Sequence, residues 1–129
     1  MDRLRILVVD DLFDGADSMA FLLEQWNHRP VVVNKGKKAI EIARTLCPDV
    51  VFLDLGVPDI SGFDVARQLR QSPETASALL VGITGCGQAA AIQRGKEVGF
   101  DLHFLKPVDP EEIKKVLEFW DEYLLSCTG

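Results

Sequence analysis

Cysteine is scarce in this chain and badly placed for cross-linking. Cys47, Cys86 and Cys127 are odd in number and far apart, with no CxxC pair and no His/Cys cluster. Neither a disulfide framework nor a zinc site is therefore expected, and reduced thiols in a cytoplasmic protein are. Long apolar runs are missing as well: none approaches the roughly 18 residues that a membrane span requires. The N-terminal Met-Asp-Arg-Leu-Arg leads into a short apolar run that ends in two aspartates. A secretion signal would carry a longer apolar core and a small-residue cleavage site. Positive charge is also in deficit, with 14 Lys and Arg against 20 Asp and Glu and a formal net charge of −6. Binding to a phosphate backbone needs a basic face, so direct nucleic-acid binding by this chain is disfavoured. Repeats, low-complexity tracts and linkers are absent too.

What is present is the composition of an ordinary folded domain, 47% hydrophobic and 26% charged over 129 residues. That length suits one core, and residues 1–129 are expected to form a single domain. Apolar runs alternate with amphipathic stretches. Ile6–Val9 is short, continuous and β-branched, as a strand buried on both faces would be. Val31–Val33, Val50–Leu53, Leu79–Ile83 and Leu102–Leu105 read the same way. Between them, helical spacing aligns Ala16, Met19, Ala20, Leu23 and Trp26, then Ala39, Ala43 and Leu46, then Phe63, Ala66 and Leu69. Ala91, Ile92 and Val98 form a weaker stripe, and Ile113, Val116, Leu117, Trp120, Tyr123 and Leu124 the clearest one. Pro110-Glu111-Glu112 suits the opening turn of that last helix. The pattern is (βα)₅, which predicts an α/β fold with a doubly wound, flavodoxin-like parallel sheet in the order 2-1-3-4-5.

Polar residues end the runs in a telling way: Asp10-Asp11 after strand 1, Asp54 after strand 3, Thr84 after strand 4 and Lys106 after strand 5. In a parallel sheet these positions share one edge. Strands 1 and 3 flank the topological switch point, where ligands bind. Three carboxylates brought together would repel one another, and a hard divalent cation relieves that; Mg²⁺ takes oxygen ligands and commonly works with phosphates. Thr84 can donate to a phosphoryl oxygen, Lys106 supplies positive charge, and a carboxylate is a competent nucleophile toward phosphorus. Each residue alone has a plainer reading: an aspartate as turn former or helix cap, Thr84 as a loop hydroxyl, Lys106 as a surface lysine. Their joint placement on one edge carries the argument.

At this point the chain resembles the receiver domain of two-component response regulators. The matching stretches are Ile6-Leu-Val-Val-Asp-Asp11, Pro48-Asp-Val-Val-Phe-Leu-Asp54, Gly56-Val-Pro-Asp-Ile-Ser-Gly62, Ile83-Thr84 and Phe104-Leu-Lys-Pro107. The resemblance implies that Asp54 is the phosphoacceptor and that Asp10 and Asp11 form the acidic pair of a Mg²⁺ site, with the Gly56 backbone carbonyl as a further ligand. It implies that Thr84 is the switch hydroxyl, that Lys106 contacts the phosphoryl group, and that the bond before Pro107 is cis. The implied partners are a histidine kinase or histidine phosphotransfer protein and a downstream protein effector, reached through the helix 4–strand 5–helix 5 face. Such a domain catalyses its own phosphorylation and dephosphorylation and is otherwise not an enzyme.

Some positions depart from the commonest family pattern. Gly56 puts no side chain over the site, which implies a more open pocket, and Val57 is a mild packing change. His103 stands where a Tyr or Phe often rotates inward, and an imidazole there would titrate near neutral pH; an ordinary strand residue is the alternative. Cys86 replaces a Tyr in Thr-Gly-Tyr-Gly-Gln. Trp26 and Trp120 read as packing residues, His28 as a turn residue on which nothing converges, and Lys35-Gly36-Lys37-Lys38 as a solvated helix entry. Two rival activities fit less well. A phosphatase of the haloacid-dehalogenase type wants Asp-x-Asp, and Gly56 stands where its second Asp would be. A flavin module wants a hydroxyl- and glycine-rich loop where Asp11-Leu-Phe-Asp14 would repel a phosphate.

Overall fold

The alternation of apolar and amphipathic segments is realised as strands and helices in strict βα order. The computed structural model describes residues 4–10, 13–56, 59–85, 89–106, 108–118 and 120. Along the chain these form β1 (Arg5–Val9), α1 (Phe13–Gln25), β2 (Arg29–Val33), α2 (Gly36–Leu46) and β3 (Val50–Asp54). They continue as α3 (Gly62–Gln71), β4 (Leu79–Thr84), α4 (Ala89–Val98), β5 (Leu102–Leu105) and α5 (Pro110–Glu118). All strand pairs are parallel and the sheet order is β2-β1-β3-β4-β5, as expected from the sequence.

Alternation along each strand sorts the core into two layers. Leu7, Val9, Val51, Leu53 and Leu80 meet Ala39, Ile40 and Ala43 of α2 and Val65, Ala66 and Leu69 of α3. On the opposite face Ile6, Val8, Phe52, Val81 and Ile83 meet Leu23 of α1 and Ile113, Val116 and Leu117 of α5. Helices therefore cover both faces, which is why the central strands are continuous apolar runs. Every residue of β3 is buried. Burying one Leu or Phe side chain contributes about 1.5–3 kcal/mol, so β3 is the anchor on which the site is built. Trp26 and Trp120 pack against the α1/α5 layer, and the Trp120 indole donates to the Asp49 carbonyl at 3.2 Å. Pro30 lies in β2, an edge strand, where a missing ladder donor is tolerated.

Local chemistry starts and stops the helices. The Ser61 hydroxyl accepts from Phe63 N at 3.2 Å to cap α3, and Asp109 Oδ1 accepts from Glu111 N at 2.9 Å at the start of α5. Pro110 opens α5, with Glu111 and Glu112 in its first turn. α2 ends at Cys47 in the left-handed conformation, φ 50°. At the far end of α3, Arg70 ties three backbone segments together. It donates to the carbonyls of Ala76, Ala78 and Gly99 and to Asp101 Oδ2. The same Asp101 oxygen accepts from Leu80 N at 2.9 Å.

Candidate phosphoacceptor site

The register of the sheet brings the polar run ends together. Val9 pairs with Leu53, so Asp10 and Asp54 are the next residues on neighbouring strands, about 4.8 Å apart in the ladder direction. Asp54 pairs with Ile83, and Leu55 N then donates to the Ile83 carbonyl at 3.0 Å. Thr84 pairs with Leu105, and Lys106 N donates to the Thr84 carbonyl at 2.9 Å. That bond carries the ladder one step beyond β5 and delivers the lysine to the acidic edge.

Asp54 is 5% exposed, yet both of its oxygens are engaged. Lys106 Nζ donates to Oδ2 at 2.6 Å, and the Gly56 backbone N–H donates to Oδ1 at 2.8 Å. The Lys106 and Asp54 side chains are 32% and 7% exposed, so this pair is partly withdrawn from water. A carboxylate in such a place is retained at the cost of desolvation, offset by the ammonium and the amide. Gly56 is exposed, and a Cβ there would meet Asp54 Oδ1 at 3.4 Å. Position 56 therefore contributes no side chain over the carboxylate. Asp10 is half-buried, and its N–H donates to the Val33 carbonyl at 3.1 Å, holding it at the strand end.

Asp54, Lys106 and Gly56 are thus in direct contact, and Asp10 and Thr84 lie on the same edge. His103, three residues before Lys106, lies on the α4 side of β5, against Gly82 and Gly95. Asp11, Pro107, Val57 and Cys86 lie outside the described residues. Among the described residues, Asp10 and Asp54 are the carboxylates at the ends of β1 and β3 on this edge.

Two polar residues were not readable from pattern. Asp59 accepts from Gly36 N at 2.7 Å on one oxygen and from Lys37 N at 2.9 Å on the other. It caps α2 from the β3–α3 loop. The backbone N–H groups of Lys37, first, and of Gly36 hold its carboxyl below the usual carboxylate range despite an opposing desolvation cost. The available signal was indirect: α2 begins after Lys35, which has no capping side chain. His28 is the second. Far from being an idle turn residue, it is 5% exposed, and its Nδ1 accepts from Leu4 N at 3.2 Å. Burial holds its pKa below the ordinary histidine value.

A doubly wound parallel sheet with a lysine-paired carboxylate at its switch point defines the class of α/β folds that take ligands at one sheet edge, and comparison with known proteins narrows it. Residues 6–118 match the response regulator receiver domain family. PilH of Pseudomonas aeruginosa is 32% identical over 113 residues, 88% of this chain and 93% of PilH. The transcriptional regulatory protein CreB of Escherichia coli is 33% identical over 113 residues, again 88% of this chain but 48% of CreB. The chain thus spans about half the length of CreB. Among solved structures, the receiver domain of the sensor histidine kinase PA1611 of Pseudomonas aeruginosa superposes with a TM-score of 0.84. That match is 19% identical and covers 92% of this chain and 98% of the other; the PA1611 domain was solved with a magnesium ion in its active-site cleft. The chain belongs to the response regulator receiver domain family of two-component signalling.

Proposed function

We propose that this receiver accepts a phosphoryl group from a phosphohistidine, on a histidine kinase or phosphotransfer protein, onto Asp54. The observation that carries the reading is the buried Asp54 carboxylate, held between Lys106 Nζ at 2.6 Å and the Gly56 amide at 2.8 Å on the switch-point edge. An Asp54 oxygen attacks phosphorus, the P–N bond breaks, and the imidazole, already protonated on its other nitrogen, leaves with the bonding pair as neutral histidine. Lys106 balances charge on the phosphoryl oxygens, and the Thr84 hydroxyl donates to one of them. Water attacking phosphorus later breaks the O–P bond, which returns the carboxylate and releases inorganic phosphate. Turnover of this kind is confined to the domain's own aspartate.

The oxygen-only donor set fits Mg²⁺, with Asp10, Asp11, Asp54 and the Gly56 carbonyl as its holders. When bound it would neutralise charge on the transferred group. Movement of Thr84 toward the phosphoryl group, with His103 following, would alter the α4–β5–α5 face that a protein effector reads. Leu105, 51% exposed on edge strand β5, is an apolar contact available there. No helix among the described residues is long and apolar enough to cross a membrane, and a cytoplasmic location fits the proposed donors.

Incubation with acetyl phosphate and Mg²⁺, followed by intact mass, tests the reading. The expected result is one added phosphoryl group, about 80 Da, lost in Asp54→Ala. Beryllofluoride binding, followed by NMR, covers the case of rapid hydrolysis. Absence of both, or an adduct that persists in Asp54→Ala, would count against the assignment.

A further inference from the structure

His103 occupies an unusual cleft. It pairs in register with Gly82 of β4, and α4 places Gly95 over the other side of its ring. A Cβ at Gly82 would meet His103 Cδ2 and Nε2 at 2.9 Å. A Cβ at Gly95 would overlap Cε1 and Nε2, so no side chain fits there without displacing the imidazole. Phe100 closes the inner end, its ring centroid 5.2 Å from the imidazole and tilted by 60°. The two glycines therefore act as a pair, each supplying by its missing side chain one wall of a slot one ring thick.

The slot is apolar where the ring is polar. His103 Nε2 is fully buried and has no hydrogen-bond partner. A neutral imidazole tolerates this by carrying its proton on Nδ1 and leaving a lone pair at Nε2, at the cost of one unsatisfied acceptor. An imidazolium must carry N–H at both nitrogens and would bury a charged donor without an acceptor. No anion on the surrounding elements offsets that charge among the described residues. β4 has no titratable side chain. Asp101, in the turn before β5, is committed to Arg70 and Leu80 N. On α4, Arg94 stacks over Phe63, Glu97 and Lys96 are both exposed, and the Lys96 charge opposes protonation of the ring.

We propose that Gly82 and Gly95 form a side-chain receptacle that accepts the neutral imidazole of His103 and expels the imidazolium, making ring docking at the α4–β5 edge proton-gated. Burial, first, and Lys96 hold the docked ring's pKa below the ordinary value, so docking persists above about pH 6.5 and is lost as pH falls through the depressed pKa. The consequence for effector binding rests on the receiver reading above. Docking itself does not, and it is measured without phosphoryl transfer.

The experiment is a pH titration of the ¹⁵N-labelled chain by long-range imidazole ¹H–¹⁵N NMR, with the two histidines assigned through His28→Gln. In the wild type, His103 is expected to be an Nδ1–H tautomer at alkaline pH and to protonate below the ordinary midpoint. The Gly82 and Gly95 amides should move with the same midpoint. Gly95→Ala should return the His103 midpoint to the ordinary value and uncouple it from Gly82. In His103→Phe, which keeps a ring in the slot and removes the proton site, both glycine amides should become insensitive to pH in that range. An ordinary midpoint in the wild type would overturn the proposal. So would static glycine amides through the His103 titration, or a glycine response that survives in His103→Phe.

Discussion

Two ion pairs in this molecule look alike by distance, and each carboxylate also accepts from a backbone amide, yet they differ in what the cation reaches and where the pair sits. Arg70–Asp101 closes at 2.7 Å with side chains 24% and 12% exposed, and Lys106–Asp54 at 2.6 Å with side chains 32% and 7% exposed. The guanidinium spends its remaining donors on the carbonyls of Ala76, Ala78 and Gly99. It acts as a rigid fork that locks the α3–β4 connection to the turn before β5. Lys106 is a point charge on a flexible stem, and its carboxylate partner adjoins exposed Gly56 at the switch point. The first pair is bound up with backbone carbonyls; the second lies at the switch-point edge, where the proposed phosphoryl group would arrive. Partners, rather than length, distinguish a latch from a site.

Substitution at each pair should separate the two roles. Arg70→Met strips Asp101 of its cationic partner, leaving it the Leu80 amide, takes the Arg70 donors from three carbonyls, and is expected to cost about 3–5 kcal/mol, measured by urea denaturation. Phosphoryl uptake per folded molecule should stay near wild type. A cost below about 1 kcal/mol, typical of an exposed pair, would refute the latch. Lys106→Met should do the reverse, slowing uptake from acetyl phosphate by roughly a hundredfold, the scale of losing one charge-stabilising donor, with a smaller change in stability. Equal uptake in the two variants would erase the distinction.

A gentler contrast is between the two histidines, His28 with a partner on Nδ1 and His103 with Nε2 unpartnered. Burial depresses both pKa values in the fold. Between the folded and unfolded values the unfolded chain binds more protons, so stability is complete above about pH 6.5 and declines as pH falls below it. Urea titrations from pH 7.5 to pH 5, pH values chosen to bracket that ordinary histidine pKa, should show the decline, and His28→Gln should flatten part of it. The smallest effect is expected at Asp59. Asp59→Ala frees the Gly36 and Lys37 amides, which should exchange faster with deuterium while the rest of α2 stays protected. Asp59→Asn should retain part of the protection, because its carbonyl oxygen still accepts.

The central strands β1, β3 and β4 were legible because burial on both faces writes an unbroken apolar run into the sequence; the half-buried edge strands β2 and β5 were legible only as shorter apolar runs. The α5 stripe was legible for the matching reason, one face against the sheet and one in water. Asp54 and Lys106 stood out because a parallel sheet puts all strand ends on one edge. Their mutual contact was not written anywhere locally, since 52 residues separate them. Asp59 escaped notice because a cap supplied by another loop leaves no spacing rule, and His28 because burial of a turn residue depends on what packs over it.

The sequence by itself determined the order of elements, which follows from periodicity, and pointed to the strand order, which follows from chain connectivity; the family was read from the likeness of its motifs. Only the tertiary structure decided that Lys106 rests on Asp54, that Arg70 is a latch, that Asp59 caps α2, and that two glycines far apart in the chain enclose His103. Each of these depends on atoms brought within a few ångströms by packing, where removing a side chain can matter as much as adding one.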